Sequence, residues 1–155
     1  MYPSTTDELN HTLQSVRPDM LPDFFAANSE HLLDGDRPFT AYMRNCFAKR
    51  KIVQAELFGN VDIPPKYGYK LISGEKHTKE RDIILRICLG AGFTLKETQT
   101  ALTLYGMSPL YPRFKRDAVL ISVISSGVHS TLKTDELLTG CGMKPLRSCG
   151  EAEAD

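Results

Sequence analysis

From Phe39 onward the apolar residues fall at helical spacing. Phe39, Tyr42, Met43, Cys46 and Phe47 recur at i, i+3, i+4, i+7 and i+8, which predicts a core helix over about residues 39 to 50. A second helix carries Ile52, Leu57 and Phe58, and a turn follows around Gly59 to Asp62. A third opens at Pro64-Pro65 and turns Tyr67, Leu71 and Ile72 inward. Proline is accepted in a first helical turn because those N–H groups have no intrahelical partner. A fourth helix starts after Thr78 and carries Ile83, Ile84, Ile87 and Cys88 until Gly90 and Gly92 stop it. The fifth opens on Thr94-Leu95-Lys96-Glu97, a capping box in which two side chains satisfy exposed backbone N–H groups. It ends at Gly106, with Pro109 and Pro112 preventing continuation.

The chain then repeats itself. Arg81-Asp82, helix, Gly92 is matched by Arg116-Asp117, helix, Gly127, and Gly106-Met107-Ser108-Pro109-Leu110 by Gly142-Met143-Lys144-Pro145-Leu146. A period near 35 residues is that of helical-hairpin arrays, whose units stack side by side. In the second copy Ala118, Val119, Ile121, Val123 and Ile124 surround one helix almost completely, which predicts burial on more than one side. Leu137 and Leu138 supply the return helix, and Pro145-Leu146 would repeat the docking of Pro109-Leu110.

Residues 1–36 form an acidic, partly helical arm. Ser4-Thr5-Thr6-Asp7 can cap a helix bearing Leu9, Leu13 and Val16, which Pro18 and Pro22 interrupt. Leu21, Phe24, Phe25, Leu32 and Leu33 are too many large apolar residues for a solvated tail, so packing on the body is expected. Residues 148–155 are small and acidic and are expected to be disordered.

Two helices joined by a tight turn over residues 52–74 form the arrangement that lets the second helix enter a DNA major groove. The segment resembles the Cro/repressor-like (XRE-type) helix-turn-helix family, with Gln54, Ile63 and Ile72-Ser73-Gly74 in that family's characteristic places across about residues 38 to 92. It departs from the family at Pro64 and Pro65, where Ser and Arg are usual, which removes N–H donors that could bind phosphate. Gly68 inside the helix costs about 1 kcal/mol relative to Ala, so either the helix packs closely there or it is a decayed reader. Arg-Pro-Phe, Tyr-Gly-Tyr, Ile-Ser-Gly and Ser-Pro-Leu-Tyr-Pro-Arg are also similar to a family of small bacterial helix-turn-helix proteins, over residues 36 to 146. The fold expected is all-α: a repressor-like five-helix helix-turn-helix domain (37–112) extended by a stacked helical hairpin (113–147).

Net charge is zero, but it is unevenly spread. Residues 1–36 hold seven acidic residues and one basic, whereas 37–81 hold ten basic and four acidic, and 82–155 hold eight of each. Positive charge confined to one module is the footprint of a nucleic-acid face; its plainer reading is a solvated helix surface. The resemblance gives roles to residues here. Gln54 would hold the DNA backbone, Tyr69 would face the groove and touch a thymine methyl, and Lys66 and Lys70 lie one turn apart on one side. Lys76, His77 and Lys79 would meet phosphates.

No catalytic motif is present: there is no GxSxG, HExxH or phosphate loop, and the four histidines are scattered. The four cysteines form no CxxC pair, and Cys46 and Cys88 fall on apolar faces. No enzyme, cofactor or metal is therefore expected. Without a leader or a long apolar run, the expected place is the cytoplasm. The function expected is a small transcriptional regulator binding double-stranded DNA, with dimer half-sites about 34 Å apart if it acts as a homodimer. The alternative is a protein-interaction module or phage-type inhibitor keeping the helix-turn-helix without base reading, its partner held by the arm or the last hairpin.

Overall fold

The computed structural model describes residues 6–32 and 37–150. Among them the regular elements are helices, with no strand, so the expected all-α class holds. The chain divides into two compact units, residues 1–36 and 37–155.

In the first unit α1 (Thr6–Leu13) buries no residue. A 3-10 turn over Pro18–Met20 and α2 (Leu21–Ala27) follow. Pro18 and Pro22 sit in the opening turns of these elements rather than interrupting a helix, because a missing N–H there breaks no hydrogen bond. Phe24 is buried, its ring edge-on to Phe25 at 6.1 Å. Ser4, Thr5 and Leu33 lie outside the described residues.

The second unit contains α3 (Pro38–Lys49), α4 (Gln54–Asn60), α5 (Pro65–Ser73), α6 (Arg81–Gly90), α7 (Leu95–Tyr105), α8 (Lys115–Ser125) and α9 (Thr131–Gly140). Most of these helices end alike. The N–H of Ile52 bonds to the carbonyl of Phe47, Ile63 to Phe58, Phe93 to Cys88, Met107 to Leu102, Val128 to Val123, and Met143 to Leu138. This is the Schellman closure, in which a left-handed residue turns the chain and the apolar donor folds back onto its helix. Gly92 and Gly127 take that left-handed position without a Cβ clash (φ 73° and 79°), while Lys51 and Asp62 take it with a side chain. The capping box at Thr94 and Glu97 is present as expected.

α6 is central, with Ile83, Ile84, Leu85, Ile87, Cys88 and Leu89 all buried against α4, α7 and α9. Two glycines allow this crowding. A Cβ on Gly68 would stand 2.5 Å from the ring Cγ of Phe58, so close packing of α5 on α4 accounts for a glycine in mid-helix. Gly90, expected to stop α6, is its last helical residue and admits Leu57 of α4 and Val61 just beyond it; the stop falls at Gly92.

The hairpins α6–α7 and α8–α9 are joined reciprocally. Arg81 pairs with Asp117, and Arg116 pairs with Asp82 at 2.8 Å. Arg81 also donates to the carbonyls of Ser108 and Pro109, and Arg116 to those of Lys144 and Pro145. Asp117 accepts the Tyr111 N–H, and Asp82 accepts that of Arg147. α6 packs on α9 and α7 on α8. Exchanging the two hairpins maps these contacts onto one another, as across a two-fold axis. Units of a solenoid are related by translation instead, and each offers an open edge to the next. The duplication is therefore closed on itself rather than propagating as a stacked array.

Inside the second hairpin the buried residues of α8 are Asp117, Leu120, Val123 and Ile124, with Leu138 from α9. Against expectation Ile121 is only half-buried, since α8 turns Leu120, Val123 and Ile124 toward its neighbours, and Leu137 of α9 is exposed. Arg86 is a buried cation held by carbonyl oxygens alone among its hydrogen bonds: Val61 at 3.3 Å, Leu146 at 2.8 Å and Arg147 at 2.8 Å. That ties the carboxyl-terminal segment to α4 and α6. Cys149, within the expected disordered tail, is buried in the core; residues 151–155 lie outside the described residues.

Candidate nucleic-acid interface

α5 is amphipathic. Gly68, Leu71 and Ile72 are buried, while Lys66 and Tyr69 face outward, Tyr69 being 46% exposed. The Tyr69 ring still meets Phe58 edge-on at 5.5 Å, which limits its swing. Lys70 is partly covered and stands 3.9 Å from Glu75. The carboxyl end of α5 is fixed from α3: the Thr40 hydroxyl donates to the Ile72 carbonyl at 2.6 Å, and Arg37 donates to that of Ser73 at 2.7 Å. These bonds satisfy carbonyls that a helix end leaves without partners. The Lys76 N–H then returns to the Lys70 carbonyl at 3.1 Å, and its Nζ lies 6.0 Å from the Tyr67 ring centre. Lys66, Tyr69, Lys70 and Lys76 are thus gathered about one helix.

The other expected site residues have different supports. His77 stacks on Tyr105 with ring centres 4.3 Å apart, and its Nε2 is 3.4 Å from the Tyr105 carbonyl oxygen. The Tyr105 hydroxyl accepts the Thr78 N–H at 2.8 Å, so α7 carries this loop. Lys79 is exposed on the same loop, and no hydrogen bond or ion pair ties it to α5. Gln54 is the first residue of α4, half-buried, with no bond to the lysines. Before it Val53, at the N-cap of α4, is 55% exposed, an apolar side chain that periodicity does not single out.

The basic surface is narrower than composition implies. Arg37 serves the end of α5, Arg50 pairs with Glu97, and Arg81 pairs with Asp117. Lys66, Lys76 and Lys79 pair with no carboxylate among the described residues. Arg37, Arg50 and Arg81 are thus taken up by the fold, while Lys66, Lys76 and Lys79 are left to solvent. Arg50 also lies 5.1 Å from the Phe93 ring centre. Burial would raise the Glu97 carboxyl, but bonds from Arg50 and Thr94 outweigh it and hold the group down at about 2.

A cleft of about 520 Å³ opens where the two hairpins join, lined by Glu80, Arg81, Asp82, Arg116, Lys144 and Arg147 among others. Its arginines are bonded to its carboxylates and carbonyls, so its polarity serves the joint. Burial raises the Cys46 thiol, helped by Glu97, and raises the Cys88 thiol as well, which leaves both unreactive as nucleophiles. Among the described residues no group of His, Cys, Asp and Glu is placed to hold a metal ion. No described helix is long and apolar enough to cross a membrane. No protein-family model matches the chain significantly, and neither does a curated protein or a solved structure.

Proposed function

We propose that the protein is a small DNA-binding regulator that engages duplex DNA with a repressor-like helix-turn-helix made of α4, the turn over residues 61–64, and α5. The observation that carries this reading is the outward face of α5, where Lys66, Tyr69 and Lys70 share one side while Gly68, Leu71 and Ile72 are buried on the other. A helix held by close packing on one side and open on the other can lie along a groove without reorganising. Lys66, Lys70, Lys76 and Lys79 then neutralise phosphates, Tyr69 and Val53 offer apolar contact to thymine methyls, and Gln54 lies at the start of the supporting helix.

A protein-interaction module on the same scaffold is the second reading. It is favoured by Pro64 and Pro65, which withdraw backbone N–H donors from the start of α5. A salt titration separates the two. Four phosphate contacts release enough counterions that duplex affinity should fall about a hundredfold between 50 and 200 mM salt. No duplex binding at the lower salt would reject the DNA reading and leave the interaction module.

A further inference from the structure

The duplicated hairpins separate what the fold requires from what it does not. In each, a leucine (Leu110 or Leu146) gives its N–H to a side chain of the preceding helix, Gln99 or Asp135. The next residue offers its N–H to an aspartate of the opposite hairpin. That residue is Arg147 in one copy and Tyr111 in the other, so the frame uses the backbone and makes no demand for a tyrosine ring. The ring is 48% exposed. Phe114 is 64% exposed at the N-cap of α8, where it makes no capping bond and Ser, Thr, Asp or Asn would do better. The two rings meet edge-on at 5.4 Å. Arg113 and Lys115, also exposed, alternate with them and pair with no described carboxylate. The turn is firmly held: Gln99 both donates to and accepts from Leu110, the Tyr111 N–H reaches Asp117 at 2.9 Å, and the Phe114 N–H reaches the Tyr111 carbonyl at 3.1 Å.

We infer that the turn from Tyr111 to Lys115 is a second nucleic-acid contact, one that stacks unpaired bases of a single strand on Phe114 and Tyr111. Every base has a π-face, so exposed rings accept a strand without reading its sequence, while alternating cations meet its phosphates. The exposed large apolar side chains of this turn are aromatic rather than aliphatic, and its charge calls for an anionic partner. The site uses no residue of the α5 face and stands independently of the duplex reading.

The test is fluorescence anisotropy with labelled oligothymidine of about 15 nucleotides, at low salt, on the full chain. Wild type should bind, Phe114→Ala should bind on the order of tenfold more weakly, and Phe114→Trp should keep the affinity by keeping a ring. Lys66→Glu/Lys70→Glu should weaken oligothymidine binding less than Phe114→Ala does, since those lysines lie outside the stacking turn. The inference is overturned by a wild type that does not bind, by undiminished affinity in Phe114→Ala, or by an α5 variant that loses as much affinity as Phe114→Ala or more. Equal affinity for polyglutamate would overturn it too, since charge alone would then suffice.

Discussion

The α6–α9 hairpins and the α5 segment with its following loop both carry clustered cations, but they use them differently. In the hairpins Arg81, Arg86 and Arg116 are bonded to carboxylates or carbonyls and are half-buried or buried. Around α5, apart from Arg37 on the Ser73 carbonyl, the cations are lysines, and Lys66, Lys76 and Lys79 have no described acidic partner. Guanidinium suits the first task because its planar fork can satisfy several acceptors at once. Ammonium suits the second: it is a point charge that keeps its hydration and costs little to leave exposed. Substitution in one region should therefore move stability, and in the other should move binding.

The reciprocal joint gives the largest expected effect. Asp117→Ala strips Arg81 of its buried partner and should destabilise the domain by about 3 kcal/mol, as should Asp82→Ala for Arg116. Urea denaturation of both variants checks this. A loss at one site and none at the other would contradict the two-fold description of the hairpins.

Packing inside the second hairpin sharpens the same point. Leu120→Ala should cost about 2 to 4 kcal/mol, since Leu120 is fully buried. Ile121→Ala should cost about 1 kcal/mol, scaled to its half burial. A thermal melt that ranks them the other way would show that α8 turns a different stripe inward.

These residues mark where the sequence could be read. Caps and closures are local, so Thr94 with Glu97, Gly92 and Gly106 announce their helix ends plainly. The stripe of α8 is not legible, because nearly every position from Ala118 to Ile124 is apolar and periodicity cannot rank them. Leu120 is therefore no more marked in the sequence than Ile121. Cys149 is masked by its small and acidic neighbours. The lysines of the candidate site were visible as charge. Which cations the fold would consume was not: Arg81 finds Asp117 36 positions away, and Arg50 finds Glu97 47 positions away. Gly68 likewise acquires its reason only when the Phe58 ring is placed against it.

The Arg50–Glu97 pair gives a smaller effect with a definite sign. The Glu97 carboxyl titrates near 4.5 when unfolded and at about 2 when folded, so its stabilisation is complete above 4.5 and is lost as pH falls through about 2. With both side chains partly solvated, about 1 to 2 kcal/mol should disappear across that window. Denaturation against pH in wild type and Glu97→Gln checks this, with the expected result that the variant lacks that share of the acid dependence.

The lysines should have the smallest effect on stability, within about 0.5 kcal/mol for exposed substitutions. The most direct test of the proposed role of the α5 lysines is therefore a duplex titration of wild type and Lys66→Glu/Lys70→Glu at low salt, with Tm recorded for both. The account expects binding to drop by at least about tenfold, as counterion release is lost and repulsion is added, with Tm unchanged. Equal duplex affinity in the two proteins would remove α5 from the interface and contradict it.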